Sequence, residues 1–314
     1  MSINLRTSNA SIAGQDLHAL QTEAINPRTI DLDTLSSSEL VAVLHAENHL
    51  VASAVDEALP EIIRAIEVAA LKLSSGGRLF FVGAGTSGRL GVLDASECPP
   101  TFGTPPEMVQ GIIAGGDFAL RNAVEGAEDS VETGIRDMTE RNLTSNDLVV
   151  AIAASGRTPY AIGALRAAKR VGAGAIALVN VRPSAMDSEA DFVIAAVTGP
   201  EPLTGSTRLK AGTAQKMVLN LISTGTMTLL GKTYGNLMVD VRATNVKLRD
   251  RAARIVMSAA NVNRELAVQA LQDCEWNAKQ AIVLLLAEVS SEEATERLAR
   301  NSGRVREALN EPNS

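Results

Sequence analysis

Five short apolar runs, most of them separated by helical patterns, recur through the middle of this chain: Leu79–Val82, Met108–Ile113, Leu148–Ala153, Ala175–Val179 and Phe192–Val197. Three of the runs end in small-residue loops, Gly83-Ala84-Gly85, Ala114-Gly115-Gly116 and Ala154-Ser155-Gly156. Strands that are apolar throughout must be covered on both faces. Strands alternating with helices read as right-handed βαβ units. The expected fold class is α/β, a doubly wound parallel five-stranded sheet, with N-terminal helices and a small C-terminal helical bundle.

The chain has 314 residues, which suggests roughly two domains. Hydrophobic residues make up 46% and charged residues 21%, so there is ample material for a core and wholesale disorder is excluded. Aromatics are only 3%, and alanine and valine fill the apolar share, which suits helices packed closely on a sheet. No window approaches the ~18 uninterrupted apolar residues of a membrane span, and the first 20 residues lack a basic-then-apolar leader. The two cysteines, Cys98 and Cys274, lie far apart and form no metal or disulfide pattern, which fits a reducing, cytoplasmic setting. A net charge of -7 argues against a nucleic-acid partner but not against a phosphorylated small molecule.

Along the chain, residues 1–30 read as a polar arm ordered by packing on something else. Helical patterns follow over Ser36–Leu50 and Val51–Leu73, the second ended by Ser74-Ser75-Gly76-Gly77. Thr158 and Pro159 suit the N-cap and first position of a helix after the third strand. The stretch Leu209–Gly231 is nearly apolar all round and predicts a helix buried on most sides. Residues 232–255 carry a run of cations that reads as a solvated or inter-subunit helix face. Short helices are expected over Ser258–Leu271, Asn277–Val289 and Ser291–Arg300, with Ser290 and Glu293 at capping-box spacing. The division is 1–54 for the arm and first helix, 55–235 for the α/β domain, 236–256 for a linking helix and 257–314 for the helical bundle and tail.

Gly83-Ala84-Gly85-Thr86-Ser87-Gly88 matches a dinucleotide fingerprint, but the context is wrong for one. Pro99-Pro100 should cut the following helix short, and no acidic residue ends the second strand. Thr86 and Ser87 at a helix start suit a compact phosphate or a sugar hydroxyl instead. Two more loops of this kind follow, Ser155-Gly156-Arg157-Thr158 and Thr204-Gly205-Ser206-Thr207-Arg208-Leu209-Lys210. Three such loops at the carboxyl ends of strands point to a shared crevice for a phosphomonoester. His45 and His49 flank Glu47 as HxExH, not as a zinc-protease HExxH, so no metal site is expected. Two acidic segments, Asp94-Ala95-Ser96-Glu97 and Glu125-Gly126-Ala127-Glu128-Asp129, lie on crossovers that can face the crevice and are candidates for general acid–base work.

Four segments carry a resemblance: FVGAGTSGRLGVLDASECPPTFG (81–103), AVEGAEDS (123–130), AASGRTPY (153–160) and GPEPLTGSTRLKAGTAQK (199–216). They closely resemble the N-acetylmuramic acid 6-phosphate etherases, lyases of the sugar-isomerase (SIS) domain superfamily, in register over roughly residues 20–255. The bundle after 257 resembles that family's small ubiquitin-associated-like (UBA-like) domain. The resemblance implies cleavage of a lactyl ether in cell-wall (peptidoglycan) recycling and amino-sugar catabolism, a homodimer, and no cofactor. It assigns the two catalytic glutamates to Glu97 and Glu128, 31 residues apart. It favours Glu97 as the acid at the ether oxygen and Glu128 as the base at C2. Substrate-binding residues are then expected among Thr86, Ser87, Ser155, Arg157, Thr158, Ser206, Thr207 and Lys210. Two alternatives on the same fold stay open, an aldose–ketose isomerase and a non-catalytic sugar-phosphate-binding regulator like the glucokinase regulatory protein.

Overall fold

The computed structural model describes residues 21–312; His18 and most of the N-terminal arm lie outside the described residues. The elements run in the order α1 (Ser37–Asp56), α2 (Leu59–Ser74), β1 (Leu79–Gly83), α3 (Gly85–Phe102), β2 (Val109–Ile113), α4 (Phe118–Arg121), α5 (Val131–Glu140), β3 (Leu148–Ala153), α6 (Pro159–Val171), β4 (Gly174–Val179), β5 (Phe192–Ala195) and α7 (Lys210–Leu229). Helices α8 (Val246–Ala260), α9 (Arg264–Asp273), α10 (Ala278–Ala287), α11 (Ser291–Arg300) and α12 (Val305–Leu309) follow.

All strand pairs are parallel, in the order β2-β1-β3-β4-β5. This is the doubly wound sheet expected from the apolar runs, and every residue of β1 and β3 is buried. Alternate residues face two cores. Phe81, Val150, Ile152 and Leu178 pack under α1, α2, α3 and α7, whereas Phe80, Val149, Ala151 and Ala177 pack under α5 and α6. The second core is built largely of alanine, so its helices approach closely. A Cβ placed on Gly163 of α6 would lie 2.2 Å from the Val131 carbonyl oxygen at the start of α5.

Several boundaries differ from the sequence pattern. Helix α1 continues through Val51, Ala54 and Val55, because these residues extend its buried stripe, and the break falls at Glu57-Ala58. Pro99 and Pro100 do not shorten α3; both sit inside its last turns, where helical φ suits proline, and the helix ends on Gly103 at φ 64°. Helix α7 is buried on most sides, as its apolar pattern predicts, with Leu221 and Leu229 exposed on one. The cationic stretch after it is irregular up to Asn245, which caps α8 through a hydrogen bond from the Leu248 N–H. Helix α8 runs through the expected 256/257 division and shares a core with α9, α10 and α12, so residues 258–260 complete α8 and α9 starts only at Arg264. Ser290 caps α11 by accepting from the Glu293 N–H at 3.2 Å.

The α5–α6 approach leads to a stability expectation. Gly163→Ala forces the two helices apart and should cost about 1–3 kcal/mol of overpacking, lowering Tm by at least ~2 °C for a domain of this size. Differential scanning calorimetry of the full chain reads this, and an unchanged Tm would contradict the close packing.

Candidate active site

Strand β1 pairs with β2 on one side and β3 on the other, so the winding reverses between β1 and β3. Ligands of open α/β sheets bind outside the carboxyl ends of the strands at such a point. The segment after β1 (84–88), most of which forms the first turn of α3, and the loop after β3 (154–158) flank it. The glycines of the first loop serve close packing: a Cβ on Gly88 would lie 2.6 Å from the Gly83 carbonyl oxygen. The third loop adjoins the first. A Cβ on Gly212 would lie 3.3 Å from both Thr86 Cγ2 and the Thr207 carbonyl oxygen.

A cavity of about 360 Å³ opens at this edge, lined by Ala84, Gly85, Arg89, Ala114, Glu125 and Glu128 among others. The Glu125–Asp129 turn is tied to the second loop, because the Glu128 carbonyl accepts from the Tyr160 N–H at 3.0 Å. Arg89, which sequence reasoning missed, donates to the carbonyls of Leu120 at 3.1 Å and Asn122 at 3.0 Å and so holds the segment ahead of that turn. The Glu128 side chain is exposed at the cavity rim.

The expected binding residues divide into two groups. The hydroxyls of Thr86, Ser155, Thr158, Ser206 and Thr207 make no side-chain hydrogen bond among the described residues, and Thr158 does not cap α6 with its side chain. Arg157 buries its Nη1 with no partner. A buried guanidinium nitrogen without an acceptor is costly unless an anion supplies one. Ser87 and Lys210, in contrast, are already committed. Ser87 Oγ donates to Gln215 Oε1 at 2.8 Å, Gln215 Nε2 donates to Asn180 Oδ1 at 2.8 Å, and Asn180 Nδ2 donates to the Ala196 carbonyl at 2.7 Å. This buried relay ties the loop after β1 to the carboxyl ends of β4 and β5.

Lys210 is fully buried and points its ammonium at Glu47 of α1, 2.7 Å away, rather than at the crevice. Burial alone would raise the Glu47 carboxyl, but hydrogen bonds from Arg28, Lys210 and Asn26 outweigh it and hold the group at about 2. The N-terminus of α7 is also occupied. Glu201 accepts from the Lys210 and Ala211 N–H groups at 2.8 and 2.9 Å, while burial pushes its own carboxyl above the ordinary range. The third loop can therefore offer side chains to an anion, but not the end of its helix. Gln215, Asn180 and Glu47 carried no local signal for these roles, since each works through a partner distant in sequence, and Glu201 bonds backbone groups nine and ten residues on.

The Asp94–Glu97 segment lies on α3. Asp94 is buried and locked to α7 by bonds from Ser223 at 2.9 Å and Asn220 at 3.2 Å, with burial raising its carboxyl. Glu97 lies 12 residues beyond Gly85 on the same helix, about 18 Å down its axis. It is exposed and is not among the residues that line the cavity. It shares an exposed face of α3 with Leu93 at i,i+4 spacing.

Two family models match, the glucokinase regulatory protein N-terminal SIS domain over residues 61–169 and the SIS domain over 124–225. Among curated relatives, an N-acetylmuramic acid 6-phosphate etherase of Clostridium beijerinckii is 51% identical over 94% of this chain and 97% of its own. One from Salmonella typhi is 53% identical over 94% of this chain and 99% of its own. The chain belongs to the N-acetylmuramic acid 6-phosphate etherase family. Similar solved structures include a putative sugar-phosphate isomerase from Listeria monocytogenes (15% identity, 63% of this chain and 94% of that one, TM-score 0.44). Another is the Vibrio vulnificus NanR protein complexed with ManNAc-6P (17% identity, 71% of each chain, TM-score 0.41). No helix among the described residues of this etherase-family chain is long and apolar enough to cross a membrane.

The Glu47 hub makes a pH expectation with a definite sign. A carboxylate depressed in the folded state adds stability above its unfolded value of ~4.3 and loses it as pH falls toward the folded value. Wild-type protein should lose this contribution between about pH 4.5 and pH 2. Glu47→Gln leaves Lys210 buried and unpaired, so it should cost about 3–5 kcal/mol at pH 7 and flatten the acid limb in that window. Urea titrations across pH test both, and parallel pH curves for the two proteins would refute the role of the hub.

Proposed function

We propose that the protein is a carbon–oxygen lyase that cleaves the D-lactyl ether at C3 of N-acetylmuramic acid 6-phosphate, by elimination followed by hydration. The products are N-acetylglucosamine 6-phosphate and D-lactate. The observation that carries the reading is identity of about half to etherases along nearly their whole length.

The chemistry assigns work to two carboxyl groups. The open-chain sugar has an aldehyde that acidifies the C2 hydrogen. Glu128, at the rim of the cavity beside the loop after β1, removes that proton. Glu97 protonates the departing ether oxygen and then activates the water that adds at C3. The phosphate is held by the side chains of Ser155, Arg157 and Thr158 in the loop before α6, with Thr86, Ser206 and Thr207 across the crevice. The unpartnered Arg157 nitrogen supports this placement.

The distance of Glu97 from its own crevice supports a site shared between two chains. The exposed face that holds Glu97 also carries Leu93, and neighbouring helices present Ile63, Leu71 and Leu221, an apolar surface that a second copy would cover. In a homodimer, Glu97 of the partner subunit then serves the crevice that holds Glu128.

Mixing separates the arrangements. Glu97→Gln and Glu128→Gln should each reduce turnover by about 10²–10⁴-fold. Co-refolded one-to-one, they should recover about a quarter of wild-type activity, because half the dimers are mixed and each has one intact site. No recovery would place both carboxyls in one chain. In heavy-oxygen water the label should enter C3 of the sugar and not lactate; label in lactate excludes elimination, and a ketose without lactate would establish an isomerase.

A further inference from the structure

A second cavity, of about 460 Å³, lies at the opposite edge of the sheet, where β3, β4 and β5 begin with Leu148, Gly174 and Phe192. The length of the strands, about 20 Å, separates it from the crevice. Its floor is apolar, made by Val68, Ile176, Phe192 and the chain from Gly172 to Ala175. Its polar lining is Arg64, Lys72, Lys169 and Asp191, three cations to one carboxylate in a protein whose overall charge is -7.

None of these cations meets a carboxylate among the described residues. Arg64 stacks its guanidinium 4.1 Å above the Phe192 ring, which leaves its N–H edge free. Lys72 donates to the Ser145 carbonyl at 2.6 Å, and Lys169 reaches the Ser188 carbonyl at 3.4 Å. The one acid is occupied otherwise, since Asp191 Oδ2 accepts from the Ala175 N–H at 2.8 Å. The two lysines sit in the last turns of α2 and α6. A helix end presents only about half a negative charge, so it balances each lysine in part, and Arg64 is in the middle of α2, away from any helix end. Positive charge therefore exceeds negative charge around an apolar floor of ligand size.

We propose that this cavity is a binding site for an organic phosphate separate from the catalytic crevice. The phosphate meets Arg64, Lys72 and Lys169, and an apolar or ring-shaped body lies against Val68 and the Phe192 side. The site does not depend on the assignment of the two glutamates, and its residues touch none of the crevice loops.

Phenyl phosphate is the probe, titrated calorimetrically into the full-length protein at low salt. We expect a saturable component that weakens at least ~10-fold in Arg64→Ala/Lys169→Ala, as loss of charge-assisted contacts requires. Inorganic phosphate should bind that component more weakly, and Ser155→Ala/Ser206→Ala should leave it in place. The double variant should retain wild-type turnover, which also shows that it is folded. Unchanged binding by Arg64→Ala/Lys169→Ala, or no component that survives Ser155→Ala/Ser206→Ala, would overturn the site; equal affinity for inorganic phosphate would overturn the organic part of the assignment.

Discussion

Strand β1 is central to the architecture because it must hydrogen-bond to β2 on one side and β3 on the other while being buried on both faces. A chain that winds outward from β1 to β2 and then crosses to β3 has to send its helices to opposite faces. Helix α3 goes to one core, with α2 and α7; α5 and α6 go to the other. The reversal leaves a gap at the carboxyl edge that no crossover covers. The crevice, its hydroxyl loops and the turn that holds Glu128 all follow from that gap.

The crevice is held in shape by polar groups that do not face it. Ser87, Gln215 and Asn180 form a buried chain of hydrogen bonds between the first loop and the strands beyond β3. Glu47 gathers Asn26, Arg28 and Lys210, so α1 and the segment before it are fastened to the start of α7. Glu201 takes the end of that helix. In a low-dielectric interior such groups are costly when unpaired and rigid when fully paired. The hydroxyls of Thr86, Ser155, Thr158, Ser206 and Thr207 at the crevice stay unpartnered among the described residues.

One helix also accounts for the separation of the two acidic segments. At 1.5 Å per residue, α3 carries Glu97 away from the loop it grows out of. Asp94 is drawn inward to Ser223 and Asn220, whereas Glu97 and Leu93 are left on an outer face beside other exposed apolar side chains. The cations without a carboxylate partner at the far edge of the sheet are a separate feature of the same scaffold, Lys72 and Lys169 standing where α2 and α6 end and Arg64 further back along α2.

The apolar runs determined the five strands, because a fully buried strand announces itself in four or five consecutive residues. The glycine loop after the first strand and the Glu125–Asp129 segment both reach the cavity at the carboxyl edge, and the motif segments assigned the family. Local pattern could not determine where α1 stops, since its last turn is helical only because Val51 and Val55 find the core. Nor could it say that Lys210 is spent on Glu47, 163 positions away, or that Glu201 occupies the helix end that the third loop seemed to offer. The family resemblance put Glu97 and Glu128 in one motif set, whereas α3 carries Glu97 about 18 Å along its axis from Gly85. Periodicity is a property of neighbours along the backbone, whereas the pairing of buried charges and the reach of a helix across the sheet are settled only when distant segments compete for the same space.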